Sequence, residues 1–378
     1  MRVIEEVRVH PVRVPISGSF RFASGSAGSA GERAGLILVR VIDSEGCHGW
    51  GEARPMPQWG YETLETATAV IRDHLGPAVV GVEAGDRWEL HRRMHAAIGR
   101  GPSTGQPVAK AALDMAVHDL CARALGLPLR CFLGGGSERR VVPLSYTVTA
   151  TGDGAGEEVE AARAAGFRHF NFKVGLDAGS ELRSATAIRR AAGPDAFVWA
   201  DANQGLSLSL ALRLAPALAA AGVDLLEQPF PADQLHLLRS LRRTCPLPLA
   251  VDESSVSPGD FFAHAAEGLV DYFVLKLTRS GGVWPSLAQL RVAAAAGLPF
   301  VTSGLTDGLL TRLAACQVAA AFGVGGPAAL NGGQFLDDSP LYPNKDEVES
   351  GGEVRLPEAP GIGVEPDPAG LHDCLVEA

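Results

Sequence analysis

The chain opens on alternation. In MRVIEEVRVHPVRVPI (1–16) apolar, mostly β-branched residues take every second place, and LILVRVI (36–42) is almost continuously apolar. A period of two marks half-buried strands, so these segments predict a strand pair. Between them lies SGSFRFASGSAGSAGERAG, rich in Gly, Ser and Ala. A connection of that length inside a compact unit reads either as a plain connector or as a lid over residues 17–34. A third strand at GWGEA is followed by EARPMPQWGYE, where Met56, Trp59 and Tyr61 predict a second lid over 53–62. From about 62 to 130 the apolar spacing becomes helical, as in PVAKAALDMAVHDLCARALG.

Beyond LGGG (133–136) the pattern becomes repetitive. Short β-rich runs, VVPLSYTV, FRHFNFKVG, FVWADANQ, VDLLEQPF, LPLAVDES, YFVLKLTRS, PFVTSGL and AALNG, alternate with Ala- and Leu-rich helical stretches. Strand–helix alternation implies a parallel sheet, and eight such units close naturally into a (β/α)8 TIM-type barrel. A doubly wound open sheet is the alternative, weakened because no GxGxxG opens a helix after a first strand.

Composition narrows the class. At 378 residues, one large domain plus a smaller one is expected. Apolar residues at 46% against 20% charged supply a sizeable core, and a formal charge of −10 disfavours nucleic acid or an anionic membrane as partner. Six scattered cysteines without a CxxC pair read as reduced thiols, and the charged, alternating start is unlike a secretory signal, so a cytoplasmic protein is expected. Lysine is scarce. Of 33 basic residues only Lys110, Lys173, Lys276 and Lys345 are lysines. Arginine cannot lose its proton in a protein, whereas lysine can. Lys173 and Lys276, each ending an apolar strand-like run, are therefore candidate bases; Lys110, on a helical stretch, reads as structural.

Other polar residues share that placement: Asp201, Asn203, Glu227, Asp252, Glu253 and Asp307 all fall near the C-terminal ends of predicted strands. In a closed barrel those ends form the face where active sites are built. Each acidic residue alone could be a helix cap or turn former. Three carboxylates on adjacent strands, Asp201, Glu227 and Asp252, would repel one another unless a cation lay between them. Hard oxygen donors suit Mg²⁺, with Mn²⁺ as the alternative, and zinc would call for His or Cys. The lysines fall on strands two and six, on opposite sides of the barrel. That arrangement suits removal of a proton alpha to a carboxylate, with the metal stabilising the enediolate and a lysine of lowered pKa taking the proton.

The combination NFKVG…ADANQ…EQPF…VDES…LKLTRSGG, with GWGEA and AKAALDMAVHDL upstream, resembles the enolase superfamily in its muconate lactonizing enzyme-like family (mandelate racemase/muconate lactonizing enzyme). The resemblance implies an α+β capping domain at 1–135, a barrel at 136–335 and a C-terminal segment at 336–378 returning to the cap. It implies Asp201, Glu227 and Asp252 as metal ligands and Lys173 and Lys276 as acid/base groups. Members of this branch usually carry Lys-x-Lys on the second strand, where this chain has Asn171-Phe172-Lys173. Strand seven lacks the histidine of the mandelate racemase branch, and strand eight lacks the Asp-x-Asp of dipeptide epimerases. The expected activity is a racemase or epimerase on a small carboxylate, such as an N-substituted or cyclic amino acid; a cycloisomerase or syn-dehydratase on the same enolate is the alternative. A metal-binding structural or regulatory barrel is the non-enzymatic one. Asn171, Asn203, Asp307, Arg21, Phe22, Met56 and Trp59 are the expected substrate contacts, and a homo-oligomer is expected.

Overall fold

The structure is a computed structural model that describes residues 2–23, 25–28, 31–100, 104–136, 138–323 and 325–377. The N-terminal part holds β1 (Ile4–Pro15), a short hairpin of β2 (Phe20–Phe22) and β3 (Gly25–Ala27), then β4 (Arg33–Asp43) and β5 (His48–Ala53). The expected strand pair is there: β1 and β4 run antiparallel from Val14↔Ala34 to Glu6↔Ile42, and β5 extends the sheet on the other side of β4. Helix Pro107–Ala124 crosses β5 at the closest approach a backbone allows. A Cβ at Gly51 would sit 2.0 Å from the Ala112 carbonyl oxygen, and one at Gly49 2.2 Å from the Leu120 nitrogen. The two glycines of GWGEA thus exist for the helix lying on them. That helix is buried almost all round, because the sheet covers one side and the barrel the other.

The remainder is a closed eight-stranded parallel barrel. Seven strands are neighbours in chain order: β7 (Ser145–Val148), β8 (His169–Lys173), β9 (Val198–Asp201), β10 (Leu225–Glu227), β11 (Leu249–Val251), β12 (Tyr272–Leu275) and β13 (Phe300–Thr302). The eighth is reduced to Ala328–Ala329, which bridges Leu144 on one side and Ser303 on the other and so closes the ring. The first predicted strand divides. Val141–Pro143 (β6) leaves the barrel and pairs antiparallel with Glu353–Arg355 (β15), itself paired with Glu349–Ser350 (β14); the ring takes only the stretch from Leu144 to Val148. Trp199, Leu225, Ala250, Val274, Val301 and Ala329 pack as one layer inside the ring, so the interior is a filled floor rather than a pore.

Two buried carboxylates fasten the N-terminal part to the barrel. The helix after β12 (Val283–Ala295) and the helix after β13 (Leu309–Phe322) both begin on glycine and carry no capping side chain of their own. Asp114 accepts from the Val283 and Trp284 amides, and Glu52 from the Thr311 amide. A Cβ would lie 2.3 Å from Asp114 at Gly282 and 2.4 Å from Glu52 at Gly308, so each glycine makes room for a cap from the other domain. The chain then returns over the N-terminal sheet. The Ile362 amide donates to Asp119, and the Val376 amide to the Pro11 carbonyl.

Candidate active site

Register builds the site. In a parallel sheet, paired residues point the same way, and Lys173 pairs with Asp201 and Asp201 with Glu227. Three polar side chains therefore stand side by side on β8, β9 and β10. Asp252 follows the last residue of β11, and Lys276 the last of β12. Lys173 Nζ lies 2.5 Å from Asp201 Oδ2 and Lys276 Nζ 2.7 Å from Asp252 Oδ2, while the Arg279 guanidinium grips the other oxygen of Asp252. The Asn203 amide donates to Asp201 Oδ1 at 2.9 Å.

The electrostatics follow from these pairs. Burial pushes the Glu227 carboxyl well up, and the neighbouring Asp201 and Asp252 push it further; no hydrogen bond or ion pair reaches its carboxylate among the described residues. Glu253 is pushed up to about 7 by burial and by Asp252. Asp252 goes the other way, since Arg279 and Lys276 outweigh the cost of its burial. Lys173 departs from expectation: burial alone would lower it, but Asp201 and Glu227 win and its pKa is raised. The lysine expected to be a poised base is, in this arrangement, the counter-ion of two carboxylates.

Among the described residues no three His, Cys, Asp or Glu side chains are gathered closely enough to hold a metal as they stand, because Asp201 and Asp252 are turned to their lysines. The donor set nevertheless fits a hard divalent cation. It offers three buried carboxylates, one of them without a partner and raised by its neighbours, and no competing soft ligand.

The other expected site residues separate into two groups. Both lysine nitrogens approach one ring, Trp59, at 6.0 Å (Lys173) and 5.6 Å (Lys276), and the small cavity they share with Asp201 and Glu227 has a volume of only about 20 Å³. Asn171 lines it too, but its amide donates to Ser145 Oγ and the Tyr146 carbonyl and accepts from Thr147, which in turn accepts from Asn331. Where members of the family usually carry lysine, this chain thus has a neutral, fully engaged amide network across strands one, two and eight. Outside the cavity, Phe22 stacks on Trp59 with centroids 4.4 Å apart, and Met56 is buried in the same apolar cluster. Asp307 accepts from the Leu305 amide. Arg54 packs against the same turn, donating to the Thr306 carbonyl. Asn203, at φ 38°, shapes the turn after β9 and donates to Glu253. Arg21 is exposed and faces a separate cleft of about 460 Å³, with Thr149, Leu176 and Ser180 on its other walls and Lys173 at its edge. Lys110 bonds the Ile98 carbonyl and His95, away from the site. Sequence reasoning missed Arg279, Thr147 and Asn331 as parts of the site. Arg279 lay within the quoted LKLTRSGG, and Asn331 at the end of the eighth strand; both positions were legible, their partners were not.

Comparison with known proteins decides the family. Residues 4–134 match the mandelate racemase / muconate lactonizing enzyme N-terminal domain, and residues 154–370 match the enolase C-terminal domain-like family. The chain belongs to the enolase superfamily. Within its muconate lactonizing enzyme-like family, the chain is 32% identical to muconate cycloisomerase 1 of Rhodococcus opacus, over 87% of this chain and 88% of that one. It is 30% identical to the L-Lys-D/L-Arg epimerase of Methylococcus capsulatus, over 96% and 98%. The dipeptide epimerase of Cytophaga hutchinsonii, solved with Mg and D-Ala-L-Val, superposes with a TM-score of 0.87 at 25% identity, covering 98% of each chain. This enolase-superfamily chain is accordingly an enzyme of the isomerase class, built as a barrel with an N-terminal cap. No helix among the described residues is long and apolar enough to cross a membrane.

Proposed function

We propose that the enzyme is a divalent-metal-dependent racemase or epimerase that removes and returns the proton alpha to a small-molecule carboxylate. The observation that carries this reading is the pair of lysines from strands two and six converging on one small cavity beside two carboxylates. Asp201, Glu227 and Asp252 would hold the Mg²⁺, or Mn²⁺, which supplies Lewis-acid neutralisation of the substrate carboxylate when bound. The chain's own groups do the rest. With Asp201 turned from its ammonium, Lys173 would take the proton from one face. Lys276, held by Asp252, returns a proton to the other face. Trp59, backed by Phe20 and Phe22, covers the reacting carbon and excludes water. Segments 17–34 and 53–62 would act as lids, although residues 24, 29 and 30 of the first lie outside the described residues. Arg21 would pair a second carboxylate on the substrate. Domain limits of 1–135, 136–335 and 336–378 and a homo-oligomeric assembly complete the proposal.

A cycloisomerase is the second reading, favoured by the likeness to muconate cycloisomerase 1. One experiment separates the two. With a panel of amino- and hydroxy-acid derivatives in D₂O and Mg²⁺, a racemase exchanges the alpha proton of both enantiomers. Lys173→Ala and Lys276→Ala should each abolish racemisation while keeping exchange of opposite enantiomers. If one lysine proves dispensable for all proton transfer, the cycloisomerase reading replaces the first.

A further inference from the structure

The motif AKAALDMAVHDL is read above as a helix lying between sheet and barrel, which leaves its buried Asp114 without a role in chemistry. Asp114 is fully buried and accepts from both sides. From the N-terminal domain comes His91 Nε2, 2.7 Å from Oδ1, while His118 Nδ1 bonds the Asp114 backbone carbonyl at 2.8 Å and lies 3.3 Å from Oδ2. From the barrel come the Val283 amide at 2.5 Å and the Trp284 amide at 3.2 Å, both on Oδ2. These amides begin the helix that follows directly on the turn carrying Lys276. The turn is closed on itself, since Ser280 N donates to the Lys276 carbonyl and Gly282 N to the Leu277 carbonyl. At one end it is tied by Arg279 to Asp252, and at the other it abuts Asp114 at Gly282, whose φ of 115° and lack of Cβ admit the carboxylate.

We infer that Asp114 is a positioning residue for Lys276: by capping the Val283–Ala295 helix from the other domain it fixes the Lys276–Gly282 turn and so holds the Lys276 amine on Asp252 and over the cavity. The inference rests on the reading of Lys276 as an acid/base group, but its geometry does not. Asp252 restrains only the tip of the lysine, whereas Asp114 anchors the far end of the turn that Lys276 opens, at the Val283 and Trp284 amides. Both lysines stand at the end of a strand paired on both sides, so what sets Lys276 apart is the tethered turn that follows it; among the described residues the segment after Lys173 sends no hydrogen bond to Asp114.

The scarcity of lysine makes a clean test. Competitive acetylation of the full chain with acetic anhydride, read by mass spectrometry, reports Lys110, Lys173, Lys276 and Lys345 separately. In Asp114→Asn the Lys276 rate should rise at least five-fold relative to Lys173. Gly282→Ala, which drives a methyl group against Asp114 from the barrel side, should do the same. A rise shared by all four lysines, or an unchanged Lys276 in both variants, overturns the inference. In the D₂O exchange assay both variants should lose exchange on the face served by Lys276 and keep it on the face served by Lys173; equal loss on both faces also overturns it. A wild-type protein that exchanges no alpha proton would overturn the functional reading alone, because the acetylation ratio needs no substrate.

Discussion

Removing either active-site lysine deletes one positive charge, yet the structure predicts unequal costs. Without Lys276, Asp252 keeps the Arg279 guanidinium and the Gln228 contact to its backbone amide. Without Lys173, the Asp201 side chain keeps only the Asn203 amide and remains beside Glu227, which is already raised. Breaking a buried pair so that one charge is left uncompensated costs about 3–5 kcal/mol, whereas a carboxylate that keeps a second cation loses about 1–2 kcal/mol. With an unfolding entropy of about 2.1 cal/mol/K per residue, a chain of this length loses about 1.3 °C of Tm per kcal/mol. Lys173→Ala should therefore melt about 4–6 °C below the wild type without metal, and Lys276→Ala about 1–2 °C below. Mg²⁺ should then stabilise Lys173→Ala more than the wild type, since the cation takes the place of the missing ammonium without having to displace it. Differential scanning fluorimetry with EDTA and with about 10 mM Mg²⁺, roughly tenfold above the weakest divalent sites, reads all six values. Equal losses in the two variants, or a smaller Mg²⁺ shift in Lys173→Ala than in the wild type, would refute the assignment of Asp201 as the site's undercompensated charge.

Gly51→Ala places a methyl 2.0 Å from a helix carbonyl, so the helix must retreat; a loss of about 3 kcal/mol or more is expected in urea unfolding, against about 1 kcal/mol for Gly46→Ala, whose methyl meets nothing and adds only positive-φ strain. Glu52, buried and near Asp338, is pushed up to about 7. The folded state therefore holds its proton more tightly than the unfolded chain, so stability should fall as pH rises from about 4.5 to 7, and Glu52→Gln should flatten that slope in Tm against pH. Lys173→Arg keeps the charge on Asp201 but cannot accept a proton; it should retain Tm to within about 2 °C and lose alpha-proton exchange on its own face in D₂O. Arg21→Gln should leave Tm unchanged and raise KM for dicarboxylates but not for monocarboxylates.

The parts of this fold that repeat were legible in the sequence, and the parts that depend on distant partners were not. Strand ends bearing Lys173, Asp201, Glu227, Asp252 and Lys276 stood out because a polar residue closing an apolar run needs a reason. The departure of Val141–Pro143 from the barrel did not, because its partner, Glu353–Arg355, lies two hundred residues away and both segments read simply as strand. The eighth strand was visible as AALNG but not its reduction to two residues, which only the closing bridges define. The direction of the Lys173 shift was misread for a similar reason. Its burial was readable from the flanking phenylalanines, while the counter-charge came from two neighbouring strands. Asn171 showed as a departure from a pattern, and only its partners on strands one and eight revealed a neutral network in place of a cation.

The paired carboxyl groups of the N-terminal part, Asp114 and Glu52, each give one oxygen to the first turn of a barrel helix, in a buried interface. Swinging the whole N-terminal part away from the barrel would strip both carboxyl groups of these partners and uncap two helices at once. The two halves are thus bolted together as a single chassis. In the proposed reading, admission of a substrate to a chamber of about 20 Å³ falls to the two lid segments, the turn bearing Trp59 and the hairpin beneath it. Variation in those few residues could then retune what enters and how fast, while the bolts, the barrel and the lysines stay as they are.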